Sequence, residues 1–308
     1  MGLFIPRELA RRSQQSRKDR GLVKEKDLVT IKVAMPTLNV PEYETMQLLF
    51  GLARNNVYRI DGSDKTFQIV LDLCHGSIIH HARNEMVDPR LSTKEDNTWW
   101  DYVIFIDSDM TWKQNWIIEM ALHDLPVVGG LCVRKTRPYK PTVFKYQEST
   151  GIFTSPILGP KLFDGTRPKE QRLLEVDGVG TGFTMIRRDV IESLAPPWFW
   201  FTLEPLKDDP TKKQAFGEDA FFCKICREQG IKMYVDLEVT PGHIGKYEYT
   251  ISDYLQAMSE DAVAMADYKG IGDEQSLQDA LKGLRGVNDD NGSNGRGAEV
   301  AVEAGTAV

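Results

Sequence analysis

From Thr30 onward, short apolar runs alternate with stretches that carry a helical repeat. Thr30-Ile31-Lys32-Val33-Ala34-Met35, closed by Pro36, has the character of a first buried strand. A helical pattern follows from Tyr43 to Ala53, then a strand at Phe67–Leu71 and a helix from Ile78 to Met86. Trp100–Ile106 is almost purely apolar, as a central strand covered on both faces requires, and it stops abruptly at Asp107-Ser108-Asp109. A helix from Trp116 to Leu122 and a strand at Pro126–Gly130 complete a βαβ rhythm. The amino-terminal half is therefore expected to be a parallel sheet flanked by helices. Extended segments follow at Leu173–Val176 and Phe183–Ile186. A helix is expected from Glu218 to Gln229, with Gly230 as its stop signal, and a last strand at Ile231–Val235.

The two ends read differently. Up to about Arg20 the chain carries Arg7, Arg11, Arg12, Arg17, Lys18 and Arg20 against only Glu8 and Asp19, which marks residues 1–28 as a basic arm. From Lys269 the text turns rich in Asp, Asn, Gly and Ala, so 269–308 is expected to be a disordered tail and 29–268 one folded domain. A chain that is 41% hydrophobic can fill one sizeable core. No run approaches the roughly 18 apolar residues of a membrane helix, and Met1–Ile5 is too short for the apolar part of a signal peptide. No membrane insertion is expected. The net charge of −7 argues against broad nucleic-acid binding through the overall field, while leaving a local basic groove open.

Four cysteines scattered among apolar neighbours do not make a disulfide framework, and they suit a reducing cytoplasm. Cys223 and Cys226 form a single C-x-x-C, but inside a helical pattern and without a second pair. Buried packing is the expectation there.

The chemistry concentrates at the end of the apolar strand. In open α/β sheets ligands collect beyond the carboxyl ends of strands, which is where Asp107 and Asp109 fall. Carboxylates so placed can hold Mg²⁺ or Mn²⁺, which in turn bridges substrate phosphates; the plain alternative is that they cap the following turn. Val176-Asp177-Gly178-Val179-Gly180-Thr181-Gly182-Phe183 has the glycines of a dinucleotide loop but leads into another strand pattern, so NAD binding is rejected.

Four segments together resemble the family 2-like glycosyltransferases of the GT-A type. Val33-Ala34-Met35-Pro36-Thr37-Leu38-Asn39 is similar to that family's first strand and loop. Gly76 followed by Ala82-Arg83-Asn84 is similar to its G-x-x-x-A-R-N segment, with a longer spacer here. Asp107-Ser108-Asp109 resembles its D-x-D, and Gly217-Glu218-Asp219 the acidic motif that opens a helix near the acceptor. The resemblance covers Ile31 to Tyr249 with the motifs in the family's order. It implies a GT-A-type, Rossmann-like α/β fold with a mainly parallel central sheet. It also implies transfer of a sugar from a nucleotide-diphosphate sugar to an acceptor hydroxyl.

On that resemblance Thr37 and Asn39 would line the base pocket, Asp107 would hold the ribose or assist the metal, and Asp109 would bind Mn²⁺ or Mg²⁺. Arg83 would offer donors to phosphate or to a nearby carboxylate. His243, in a turn between Gly242 and Gly245, would be a further metal ligand. Asp219 would act as general base with Glu218 as helper, unless the reaction retains configuration and needs no base. Asp177 and Thr181 are expected near the sugar. Trp198 and Trp200, in Pro197-Trp198-Phe199-Trp200-Phe201, either form an acceptor platform or pack in a buried strand. Arg134, Lys135, Arg137 and Lys140 either line a phosphate-rich groove or are solvated charge. The format resembles soluble phage-encoded glycosyltransferases, which would place the protein in a host cytoplasm. A modified DNA base and a glycan both remain open as acceptor. The rival readings are a nucleotidyltransferase of similar fold and a non-catalytic sugar-binding protein. The first would want a glycine-rich basic loop where Pro36–Pro41 stands.

Overall fold

The computed structural model describes residues 28–59, 65–76, 78–94, 98–159, 162–163 and 171–260. The expected basic arm, apart from Leu28, and the expected tail lie outside them.

The centre is an eight-stranded sheet, ordered β2-β3-β1-β4-β11-β6-β14-β9. Its strands are β1 (Leu28–Thr37), β2 (Val57–Arg59), β3 (Thr66–His75), β4 (Tyr102–Ile106), β6 (Val127–Gly130), β9 (Leu173–Val176), β11 (Phe183–Arg187) and β14 (Met233–Asp236). β1 runs parallel to β3 and β4, and β6 parallel to β14, while β11 is antiparallel to both β4 and β6. Five strands thus point one way, and β2, β11 and β9 the other. The sheet is mainly parallel, as the sequence pattern predicts.

The expected self-contained parallel sheet of the first half needs one correction. β11, from the second half, lies between β4 and β6. It can do so because Phe183–Ile186 is buried throughout, and because its neighbour at Thr184 is Gly129. A Cβ at Gly129 would sit 3.1 Å from the Thr184 hydroxyl.

Side chains on each central strand alternate between two apolar layers. On β4, Val103 and Phe105 join one layer, while Tyr102, Ile104 and Ile106 join the other. The second layer is covered by α1 (Tyr43–Arg54) and α3 (Gln114–Leu122) through Leu49, Leu52, Trp116 and Ile117. The first is covered by α2 (Ile79–Val87), α4 (Arg188–Ser193), α5 (Glu218–Glu228) and α6 (Ile251–Glu260). Each fully buried large apolar side chain contributes about 1.5–3 kcal/mol, so β4 is held from both sides. Beyond α5 the chain turns at Gly230, whose φ of 69° is the left-handed value that favours glycine.

Three smaller sheets complete the strands among the described residues. β5 (Met110–Thr111) pairs with β15 (Gly242–Ile244), which pairs with β16 (Glu248–Tyr249). β7 (Val143–Gln147) pairs with β8 (Ile152–Thr154) and β10 (Gly178–Val179), and β12 (Thr202–Pro205) pairs with β13 (Lys213–Phe216). Cys223 and Cys226 are buried in α5, where burial raises both thiols above their ordinary range, as packing cysteines should be. No described helix is long and apolar enough to cross a membrane.

Candidate functional site

The five co-directional strands deliver their carboxyl ends to one edge, and the Asp107–Asp109 loop sits there. Its backbone is fixed on three sides. Asp107 N–H donates to the Gly182 carbonyl (2.9 Å), the Ser108 carbonyl accepts from Glu42 N–H (2.8 Å), and the Asp109 carbonyl accepts from Ile244 N–H (2.7 Å). Gly182 also makes room for the acid itself: a Cβ there would stand 3.0 Å from Asp107 Oδ2. Thr181, one residue earlier, is buried.

Asp109 and His243 meet because β5 and β15 pair His243 opposite Met110. His243 Nε2 lies 3.5 Å from Asp109 Oδ1, and its Nδ1 is 2.9 Å from the Val133 carbonyl. A carbonyl can only accept, so Nδ1 carries the proton and Nε2 is turned to the carboxylate. A nitrogen facing a carboxylate oxygen at that distance wants a positive partner, either a proton or a metal ion. The backbone bond that orients the ring is the outer support typical of a ligating histidine. Lys135 Nζ closes the other side of the carboxylate, 2.5 Å from Asp109 Oδ2. Burial pushes the Asp109 carboxyl up, but His243 and Lys135 together outweigh it and hold the group below its usual range.

The expected ligand trio of Asp107, Asp109 and His243 is not gathered as a set. Among the described residues no group of three or more His, Cys, Asp or Glu side chains is arranged to hold a metal ion. Asp107 Oδ1 is instead turned to Arg83 Nη2 at 2.8 Å. The pair that remains, one carboxylate and one imidazole, could supply two positions to a hard divalent ion.

Of the two kinds of partner expected for Arg83, phosphate or a nearby carboxylate, the described residues give it carboxylates. It is 2% exposed on α2, with Nη1 on Glu218 Oε1 (2.5 Å) and Nη2 on Asp107. Its Nε has no partner among the described residues. The guanidinium therefore links the first acidic motif to the second, and Glu218 is committed to that link rather than free to assist a base. Asp219 stands beside it at the start of α5, its Oδ1 accepting from Ala220 N–H. Burial, and then the Glu218 charge, raise the Asp219 carboxyl above its ordinary value.

Asn84, next to Arg83, ties in the aromatic segment. Its amide donates to the His80 and Phe199 carbonyls, and its Oδ1 accepts from Trp198 N–H (2.8 Å) and Phe199 N–H (3.2 Å). Trp198 is corrected as a ligand platform: it is buried, and its indole N–H donates to the Ile191 and Leu194 carbonyls. Phe199 is buried as well and stacks on Phe222. Trp200 and Phe201 are exposed and gather around His80, at ring separations of 4.9 and 5.4 Å. Phe201 reaches the acidic motif, since the spot where a Gly217 Cβ would sit is 3.8 Å from its ring and 3.2 Å from Asp219 Oδ1. His80 and His81, just before Ala82-Arg83-Asn84, were not among the residues expected at the site.

The remaining expected residues divide. Thr37 and Asn39 lie at the carboxyl end of β1, where the Thr37 hydroxyl donates to the Asn39 carbonyl as ordinary turn chemistry provides. Asp177 faces β7, accepting from Tyr146 N–H (2.9 Å) and pairing with Lys145 Nζ (2.9 Å), so its carboxylate already has partners. Of the basic run, Lys135 enters the site whereas Arg137 pairs with Glu260 on α6.

No family model matches the sequence, and no curated protein matches it. Among solved structures, A197 from STIV is similar with a TM-score of 0.43 at 18% identity, over 70% of this chain and 86% of that one. S. aureus TarS 1-349 is similar with a TM-score of 0.34 at 14% identity, over 82% of this chain and 69% of that one. The same protein in complex with UDP-GlcNAc gives 0.34 at 13% identity, over 83% and 72%.

Proposed function

We propose that the protein is a glycosyltransferase that uses a divalent cation and a nucleotide-diphosphate sugar. The observation that supports this most is the Asp109–His243 pair at the carboxyl edge of a mainly parallel sheet. A departing nucleoside diphosphate gathers negative charge, and a cation held there, Mn²⁺ or Mg²⁺, would supply the electrostatic stabilisation that charge needs. Asp109 and His243 would hold the ion. Asp107, fixed by Arg83, would orient the donor beside it, with Thr37 and Asn39 at the end of β1 toward the base.

Asp219 is the better candidate for removing the acceptor proton. Its raised carboxyl is a stronger proton acceptor at neutral pH than an ordinary aspartate, and Glu218 is occupied by Arg83. The exposed faces of Phe201, near Gly217 and Asp219, and of Trp200 would carry a ring-bearing acceptor, either a glycan or a modified base of DNA.

The test is slow hydrolysis of UDP-, GDP- and dTDP-sugars by purified protein, with Mn²⁺ or with chelator. Metal-dependent release of one nucleoside diphosphate, abolished in Asp109→Ala, is the expected result. No release from any donor with Mn²⁺ would sink the reading, and nucleoside triphosphates would be tried next.

A further inference from the structure

We infer that Lys135 is the internal counter-ion of the Asp109–His243 pair, holding the cation position on Asp109 until a divalent ion displaces it. The inference rests on the proposed cation site. Lys135 Nζ lies 2.5 Å from Asp109 Oδ2, and His243 Nε2 addresses the other oxygen at 3.5 Å. At Asp109 the Lys135 ammonium supplies positive charge that an ion would bring.

Two features let the ammonium reach this place and leave it. Gly245 lies along the lysine stem, and a Cβ there would stand 3.1 Å from Lys135 Cδ and 2.9 Å from the Tyr249 ring. A side chain at 245 would press the stem away from Asp109. The pair is also open to water, with Lys135 32% and Asp109 29% exposed. Arg83, by contrast, is buried and fixed by two carboxylates. A hydrated ammonium on four methylenes exchanges partners easily, unlike a fork held at two points.

The test is Mn²⁺ binding by calorimetry to the wild type and to Lys135→Met, with Arg134→Met as a control for net charge. Removing the competitor should tighten Mn²⁺ binding about two- to fivefold, the range expected for a partly exposed ion pair. Arg134→Met should change it much less. A purely structural role for Lys135 would weaken binding, because the site would lose order. Equal or weaker binding in Lys135→Met, with the wild type still taking up the ion, overturns this inference and leaves the donor-site reading standing. No Mn²⁺ uptake by any of the three proteins overturns both.

Discussion

Arg83 and Glu218 stand 135 positions apart in the chain and are joined by an Nη1–Oε1 hydrogen bond of 2.5 Å. Because the same guanidinium also holds Asp107, one buried side chain sets the separation of the two acidic motifs. Glu218 is 14% and Asp107 31% exposed, so this link is more shielded from water than a surface pair.

Arg83→Met should therefore be costly. Removing one partner of a buried charge cluster leaves the other charges uncompensated. The expected loss is about 2–4 kcal/mol in urea unfolding. The double variant Arg83→Met/Glu218→Gln should recover part of it. Additive losses in the two single variants would contradict the link.

Asp219 makes a pH-dependent prediction whose sign follows from its raised carboxyl. The fold disfavours the ionised form, so a penalty grows as pH rises through the raised value and vanishes once both folded and unfolded chains are protonated. Asp219→Asn, which keeps an oxygen for Ala220 N–H, should raise Tm at pH 8 and lose that advantage toward pH 4. An advantage independent of pH would contradict the assignment. The same variant should lose transferase activity, the usual opposition between a strained site and stability.

The two tryptophans should behave in opposite ways. Trp198→Ala removes a buried ring and should cost about 3–5 kcal/mol. Trp200→Ala, exposed at the rim, should cost less than about 1 kcal/mol and act instead on KM for the acceptor. Equal stability losses in the two variants would contradict the geometry.

The contrast between these neighbours also shows what the sequence could reveal. The run of aromatic residues was legible, but which ring faces water depends on Asn84 gripping the segment from another helix. The central strands were legible because burial on both faces leaves an apolar run, as at Tyr102–Ile106. The insertion of β11 between β4 and β6 was not, because an apolar segment does not name its neighbours. Asp107 and Asp109 were found from their place after such a strand. Their partners were less legible: Lys135 stood as one of several basic residues, and Arg83 as a donor to either phosphate or an unnamed nearby carboxylate. Both assignments depend on contacts between residues far apart in the chain, Lys135 with Asp109 and Arg83 with Glu218, that no local pattern encodes.

The central claim is that Asp109 and His243 form a cation-dependent donor site. It is tested most directly by thermal unfolding across nucleotide diphosphates and their sugars, with Mn²⁺, with nucleotide, with both or with neither. The account predicts stabilisation well beyond either addition alone when one nucleotide family and Mn²⁺ are present together, lost in Asp109→Ala and in His243→Ala. Nucleotide stabilisation that survives both substitutions, or that ignores chelator, would contradict it.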